Sequence, residues 1–178
     1  MFRRVGIILL VFLVTGTGVY LLSLRHRELA FSAKECPFCD PAVLQRQAFY
    51  ADDLVLALYT HRPVMPGHCL VIPKRHVERF ERLTDAEADQ ICRVIKKVNA
   101  AVEKVFSTSP YLLLQKNGWE VGQSVPHIHF HYVPRKAGDG SMLKLLFKML
   151  WADTGRPLAQ KNIEKAVQEL KLAIEEQT

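Results

Sequence analysis

Three histidines alternate with large apolar or aromatic residues in Pro126-His127-Ile128-His129-Phe130-His131-Tyr132-Val133. On a β-strand, neighbouring side chains point to opposite faces, so the three imidazoles would share one face at intervals of about 7 Å. Burying three histidines without partners would cost free energy, so this face must be exposed to solvent or bind a ligand. The pattern predicts a functional site. Metal binding is the alternative, because alternating histidines are also common metal ligands.

A second group with chemical meaning is Cys36-Pro37-Phe38-Cys39. The gap of two residues lets both thiolates reach one tetrahedral ion. Taken alone, this spacing is equally consistent with a redox pair.

The elements that must position these residues follow from the periodicity of the chain. Short β-compatible runs bounded by turn residues predict four strands, at 54–59, 68–73, 111–116 and 125–133. Thr84-Asp85-Ala86-Glu87 has the form of a capping box, and apolar residues then recur at helical spacing, which predicts a helix over 85–106. Two further helices are expected at 141–151 and 162–175. The expected fold class is α+β, with an antiparallel sheet, one long helix and C-terminal helices.

With these elements in place, the chain resembles the histidine-triad (HIT) superfamily over roughly residues 36–135. The triad fits the family motif of histidines alternating with apolar residues. The resemblance extends to Asn117-Gly118, Gly122-Gln123-Ser124-Val125, Pro134-Arg135 and the string Gly67-His68-Cys69-Leu70-Val71-Ile72-Pro73-Lys74-Arg75-His76. Together and in this order these strings are similar to the zinc-containing bacterial and Hint-like branch.

The resemblance implies a role for each site residue. His129 would be the nucleophile that attacks the α-phosphorus of a nucleotide and forms a covalent nucleotidyl-imidazole intermediate. His131 would stabilise the phosphate oxygens. Gln123 and Ser124 would donate hydrogen bonds to the phosphate or leaving group, and Asn117 would help to place it.

The resemblance also implies a structural zinc ion. In the zinc-containing branch the cysteine pair is completed by two histidines, at the positions of His76 and His127 here. Cys36, Cys39, His76 and His127 would close a tetrahedron and leave no open position for catalysis.

One position departs from the family pattern. Nucleoside-binding members commonly carry an acidic residue at the end of the second strand, where it grips the ribose hydroxyls, and this chain has Thr60 there. A hydroxyl makes a weaker hydrogen bond than a carboxylate, so nucleoside preference is expected to differ.

The first part of the chain predicts a membrane anchor. Residues 5–24 contain no charged residue and would span about 30 Å as a helix. A cleaved signal peptide is the alternative. Basic residues on the two sides nearly balance, with Arg3 and Arg4 before the run against Arg25, Arg27 and Lys34 after it. The expectation is a single-pass membrane protein whose folded domain lies on the cytoplasmic side.

The formal net charge of +6 does not predict a nucleic-acid partner. Residues 1–34 hold five basic residues and one acidic residue, so +4 of the +6 flanks the apolar run. The remaining charge forms no basic stripe.

These observations predict a transmembrane anchor and linker at 1–34, a HIT domain at 35–136 and a helical extension at 137–178. The expected function is a nucleotidyl hydrolase or transferase that acts on a phosphoramidate or phosphoanhydride of a nucleotide, with a homodimer possible. The alternative is a membrane-tethered module that binds a nucleotide or a protein without turnover.

Overall fold

The computed structural model describes residues 36–151 and 155–177, with side chains described except at 150 and 151. Its elements are α1 Pro41–Gln47, β1 Ala48–Ala51, β2 Val55–Tyr59, β3 Cys69–Pro73, α2 Asp85–Phe106, β4 Tyr111–Gln115, β5 Phe130–Pro134, α3 Met142–Trp151 and α4 Gln160–Glu175. Short 3-10 turns lie at Phe80–Arg82 and Trp119–Val121.

The five strands form one antiparallel sheet in the order β1-β2-β3-β5-β4. β5, which carries the end of the triad, therefore lies between β3 and β4. His131 is paired with Leu70 on one side and Leu114 on the other. Its backbone is held by two neighbouring strands, so the position of its side chain is well determined by the sheet.

The main core lies between one face of the sheet and helices α2 and α4. This face contributes Val71 and Tyr132, and the helices contribute Ile91, Val98 and Leu170, all of which are buried. A smaller apolar cluster covers the other face and contains Cys36, Phe38, Leu56, Leu58, Leu70 and Ile72. The functional groups described below lie on the side of this smaller cluster.

α2 begins at the predicted capping box. The Thr84 hydroxyl accepts the Glu87 N–H (3.2 Å), and the Glu87 carboxylate accepts the Thr84 N–H (2.8 Å). Arg75 donates two further hydrogen bonds to this buried carboxylate and lowers the pKa of Glu87 to about 2. The same side chain therefore caps the helix and ties its start to the segment after β3.

The chain after α3 returns to the rest of the domain. The Leu158 N–H donates to the carbonyl of His61 (2.9 Å), and α4 then packs against α1, α2 and β1. Residues 157–163 are thereby placed beside the loop that follows β2.

The structure confirms the long helix Asp85–Phe106 and the antiparallel α+β architecture. It adds α1 and β1, which the periodicity did not indicate because both are short. The predicted strand over 125–133 is wrong in its first half, since β5 begins only at Phe130. Before it, the Ile128 N–H donates to the Val77 carbonyl, which is outside the sheet, and Pro126 has no N–H for a strand ladder.

One part of the predicted fold class, the membrane-spanning helix, is corrected. Within 36–151 and 155–177, no helix combines the length and the apolar character needed to cross a bilayer. The longest of them, α2, alternates buried apolar residues with charged ones and belongs to the core. The run 5–24, on which the predicted anchor fell, lies outside the described residues. The described residues therefore form an α+β fold with no membrane-spanning helix among them, and the predicted fold class, the single-pass, cytoplasm-facing localisation and the membrane partner are corrected to that finding.

Candidate active site and metal site

A cavity of about 520 Å³ opens on the side of the smaller apolar cluster. His129 and His131 line it together with Ser124, Phe38, Leu70 and Thr60. Its volume is in the range that binds a small organic ligand such as a nucleotide.

His129 is oriented by the backbone of its own segment. Its Nδ1 lies 2.7 Å from the carbonyl oxygen of His127, and the residue is 4% exposed. Because a carbonyl oxygen only accepts, Nδ1 must carry the proton. In the neutral ring, Nε2 then holds the lone pair, which is the tautomer that a nucleophile requires.

His131 is held by a second chain of hydrogen bonds. The Val64 N–H donates to Nδ1 of His68 (3.3 Å), so the His68 proton is on Nε2. His68 Nε2 in turn lies 3.0 Å from His131 Nδ1 and donates to it. In the neutral His131 ring the proton is therefore on Nε2. His131 is a hydrogen-bond donor, whereas His129, with its ring 4.9 Å away between centroids, offers a lone pair.

Burial keeps both His68 and His131 neutral. Loss of solvation by burial lowers the pKa of His68 to about 4 and that of His131 to about 2, and the neighbouring His129 makes a smaller contribution in the same direction. The tautomers assigned from the hydrogen bonds are therefore the expected forms at neutral pH.

Gly67 sets the position of His68. Its φ of +86° is in the left-handed region, and a Cβ there would lie 3.0 Å from Pro134 and 3.1 Å from Phe106. Only glycine combines this turn with the close packing, and the next residue enters β3 with its ring directed at His131.

The loop residues predicted to bind substrate are placed differently from one another. Ser124 is exposed and lines the cavity, whereas Gln123 and Asn117 do not line it. The Gln123 amide accepts the Gly118 N–H (2.7 Å) and donates to the carbonyls of Glu78 and Val125. The Asn117 amide accepts the Phe80 N–H (2.8 Å) and donates to Glu81. Both amides hold the loop in place, and their direct contact with substrate stays a prediction.

The four predicted metal ligands are brought together. Cys36, Cys39, His76 and His127 place one ligand atom each within 4.8 Å of one another. His127 Nδ1 lies 3.5 Å from Cys36 Sγ and 3.6 Å from Cys39 Sγ, and His76 Nδ1 lies 3.5 Å from Cys39 Sγ. Zn–S and Zn–N bonds of normal length at a tetrahedral angle separate the two ligand atoms by about 3.6 Å. The residues therefore fit a tetrahedral zinc ion.

His127 also has the tautomer that a metal ligand needs. Its Nε2 lies 2.9 Å from the carbonyl oxygen of Pro73, so Nε2 carries the proton and Nδ1 presents its lone pair to the cysteines. The Phe38 ring, which lies between the two cysteines in sequence, packs edge-on against both His127 and His129. The metal site and the cavity are thus directly adjacent.

Some residues of the site had no assigned role in the sequence. His68 belongs to a recognisable string after Gly67, but its pairing with His131 spans 63 residues. Gln47 of α1 also lines the cavity, as do four residues near the start of α4, and no local pattern indicates this: Pro157, Leu158, Gln160 and Ile163. Thr60 does lie in the cavity wall, where its Oγ1 accepts the Arg62 N–H (3.4 Å).

The fold and the site together define the class of protein: an antiparallel α+β domain that carries a histidine triad beside a cavity. Residues 42–138 match the HIT domain family, and the chain belongs to that family.

Individual relatives agree with this assignment. The chain is 39% identical over 109 residues to the bis(5'-nucleosyl)-tetraphosphatase [asymmetrical] of Schizosaccharomyces pombe, an alignment that covers 61% of this chain and 60% of that protein. It is 36% identical over 127 residues to the bifunctional bis(5'-adenosyl)-triphosphatase/adenylylsulfatase FHIT of Arabidopsis thaliana, covering 71% of this chain and 70% of the relative. A solved structure, that of a hypothetical histidine triad nucleotide-binding protein from Sulfolobus tokodaii, superposes with a TM-score of 0.64 at 26% identity and covers 79% of this chain and 93% of the other.

The neutral His68–His131 pair predicts that the free energy of unfolding decreases in acid. In the unfolded chain both histidines titrate near pH 6.5, whereas burial lowers their folded pKa values to about 4 and about 2. Below about pH 6.5 the unfolded state binds more protons than the folded state, so the free energy of unfolding falls as the pH drops from about 6.5 towards 4. Above pH 7 neither histidine contributes a pH dependence. Urea unfolding at pH 7.5, 6.0 and 5.0 measures the effect.

The control for this prediction is His68→Gln, whose side-chain amide replaces the Nε2 donor and does not titrate. At equal zinc content, its stability should fall less between pH 7.5 and 5.0 than that of the wild type. An equal loss of stability in the two proteins would show that the acid sensitivity arises elsewhere.

Proposed function

We propose that this protein is a nucleotidyl hydrolase or transferase that acts on a phosphoramidate or phosphoanhydride of a nucleotide through a covalent nucleotidyl-His129 intermediate. The observation that carries the proposal is the pair of opposite tautomers at the cavity. The His127 carbonyl leaves the lone pair of His129 on Nε2, and His68 leaves the proton of His131 on Nε2. A nucleophile and a hydrogen-bond donor side by side suit attack on a phosphoryl centre.

In the first step the Nε2 lone pair of His129 forms a bond to the α-phosphorus. The bond from phosphorus to the leaving group breaks, and its electron pair departs with that group. The His129 ring becomes cationic, and its Nδ1–H keeps donating to the His127 carbonyl, which stabilises the charge. His131 Nε2–H and the Ser124 hydroxyl donate to the phosphate oxygens or the leaving group.

In the second step water or another acceptor attacks the same phosphorus. The bond between phosphorus and His129 Nε2 breaks, and the electron pair returns to the ring. With water the product is a nucleoside monophosphate, and the proton lost by water leaves with solvent. Imidazole serves both steps because it is nucleophilic when neutral and a good leaving group when nucleotidylated.

The metal, which we propose to be zinc held by Cys36, Cys39, His76 and His127, has a structural role. Four protein ligands would leave no open position, so a bound ion would cross-link two distant segments rather than take part in catalysis. His127 would link the metal site to the nucleophile, since its Nδ1, 3.5 Å from Cys36 Sγ, would bind the ion while its carbonyl accepts a hydrogen bond from His129 Nδ1. The site thereby positions the nucleophile through the backbone of one residue.

The relatives support this class of substrate. The Schizosaccharomyces pombe protein is named a bis(5'-nucleosyl)-tetraphosphatase, and the Arabidopsis thaliana protein a bis(5'-adenosyl)-triphosphatase and adenylylsulfatase. These activities all cleave a bond at the phosphorus of a nucleotide. A module that binds a nucleotide or a protein without turnover is the second candidate, and Thr60 favours it because a hydroxyl would hold the ribose of a nucleotide substrate less strongly than a carboxylate does.

A substrate panel tests the proposal on the full chain. We expect release of AMP from adenosine 5'-phosphoramidate, diadenosine triphosphate or diadenosine tetraphosphate, measured by chromatography. A mixing experiment stopped in alkali should trap one nucleotidyl group per chain on His129, located by peptide mass spectrometry. Tight binding of nucleotide without turnover of any substrate would favour the binding module instead.

A further inference from the structure

A groove lined by basic side chains lies close to the triad, separate from the cavity described above. It has a volume of about 360 Å³, and its basic residues are Arg62, Lys148 and Arg156. The rest of its described wall is uncharged and consists of Pro63, Val64, Gly155 and Leu158. Since no described residue of this wall is acidic, this basic groove is a positively charged environment that favours an anion.

A smaller cavity adjoins both the basic groove and the triad. Its wall includes His129 and His131, and it shares Val64 with the basic groove. Lys116 also lines this cavity, where its Nζ donates to the Gly122 carbonyl (3.2 Å). Positively charged side chains are therefore placed both beside the triad and further out in the basic groove.

The triad thus borders two different environments. The cavity of about 520 Å³ has a mainly apolar wall, in which Arg46 is the lysine or arginine among the described lining residues. The basic groove, in contrast, has three such residues. An apolar portion of a substrate fits the cavity, and a portion with several negative charges fits the basic groove.

Two cations of the basic groove are available to a ligand. Lys148 and Arg156 are exposed, and neither forms an ion pair with another described residue. The Lys148 ammonium lies 3.8 Å from the Met65 sulfur, which is only a weak acceptor. Both basic residues follow the HIT match at 42–138, one on α3 and the other shortly before α4. The C-terminal segment therefore adds these charges to the family domain.

We propose that the basic groove binds an oligophosphate leaving group, an inference that rests on the proposed chemistry at His129. As the bond between His129 Nε2 and the α-phosphorus forms, the bond to the bridging oxygen breaks and its electron pair leaves with that oxygen. The departing oligophosphate gains a negative charge, which Lys148 and Arg156 stabilise. An amine leaving group must take up a proton and departs without negative charge, so the basic groove does not assist it. The groove thereby selects a phosphoanhydride over a phosphoramidate.

The experiment compares diadenosine tetraphosphate with adenosine 5'-phosphoramidate on the full-length protein. The ratio of the two kcat/KM values should be roughly tenfold lower in the double variant Lys148→Gln, Arg156→Gln than in the wild type. Because each ratio is measured on one preparation, a loss of folded protein cancels out. An unchanged ratio in this double variant would overturn the proposal.

The double variant Lys144→Gln, Lys161→Gln is the matched control. Both lysines are exposed on α3 and α4 and are absent from the wall of the basic groove, and their replacement removes the same net charge. This variant should keep the wild-type ratio. An equal fall in the two double variants would show that net charge sets the ratio, and it would overturn the role of the groove.

A binding measurement separates this inference from the proposed function. Calorimetric titration with inorganic tripolyphosphate requires no turnover, and the wild type should bind it about tenfold more tightly than Lys148→Gln, Arg156→Gln does. Tripolyphosphate should also inhibit diadenosine tetraphosphate hydrolysis competitively. If it binds in this way but no substrate is cleaved, the groove stands as an oligophosphate site and the proposed function fails. Turnover together with equal tripolyphosphate binding by wild type and variant, or simultaneous binding of tripolyphosphate and substrate, overturns the proposal.

Discussion

Replacement of His129 by alanine is expected to lower kcat/KM by at least about a thousandfold, which corresponds to about 4 kcal/mol of transition-state stabilisation. The variant removes the nitrogen that forms the covalent intermediate, and no described neighbour can replace it. His131 has its Nδ1 occupied by His68 and its remaining nitrogen protonated. The measurement is steady-state hydrolysis of the best substrate in the panel.

Chemical rescue distinguishes a lost nucleophile from a disturbed fold. His129→Gly leaves space for free imidazole, and imidazole bound there should restore part of the activity by attacking the α-phosphorus in place of the missing side chain. The thermal unfolding midpoint should remain within a few degrees of the wild type, because His129 lines the cavity and its removal enlarges a space that is already open. A folded His129→Ala protein with activity within tenfold of the wild type would refute the nucleophile assignment.

The second large effect is expected from the metal ligands. Protein purified without added zinc should contain about one zinc ion per chain, and Cys39→Ser should lose it together with roughly 10 °C of thermal stability. A bound ion would join the segment at 36–39 to His76 and His127, which are far away in sequence. Without it, Cys36 and Phe38 lose the anchor that keeps them on the sheet. Metal analysis and calorimetric unfolding measure the two losses.

Cys92→Ser is the matched control for this variant. Cys92 is an exposed cysteine on α2 and is not among the grouped ligands. Its replacement should preserve both the zinc content and the unfolding midpoint. Wild-type protein that is free of metal, or a Cys39→Ser protein as stable as the wild type, would contradict the zinc site. Activity should fall with the metal as well, because the His127 carbonyl orients His129.

Much of the fold was predictable where local chemistry determines the structure. The capping residues Thr84 and Glu87 and the apolar spacing after them predicted α2 with its observed bounds. The turn residues between β2 and β3 predicted an antiparallel pair that the register confirms. α1 and β1 were not predicted, since elements of 7 and 4 residues are too short to show a periodic pattern of apolar residues.

The triad shows where a periodic pattern misleads. Alternation predicted one strand through all three histidines at even spacing, but only His131 lies in β5. His127 and His129 belong to a segment bonded to the loop at Val77. That departure from a regular strand leaves the His127 carbonyl free to accept from His129 Nδ1 at 2.7 Å. In a regular strand the carbonyl would point towards the adjacent strand instead.

The sequence by itself determined which residue types are present and which local elements they form: the alternating triad, the paired cysteines, the capped helix and the short strands. These depend on interactions between residues close along the chain, so they can be read from spacing. Tertiary structure alone decided which distant groups meet. It brought Cys36 to His127 across 91 residues and His68 to His131 across 63. It also placed Leu158 and Ile163 in the wall of the cavity that His129 lines. Contacts of this kind arise from packing of the whole sheet and its helices, and no local pattern encodes them.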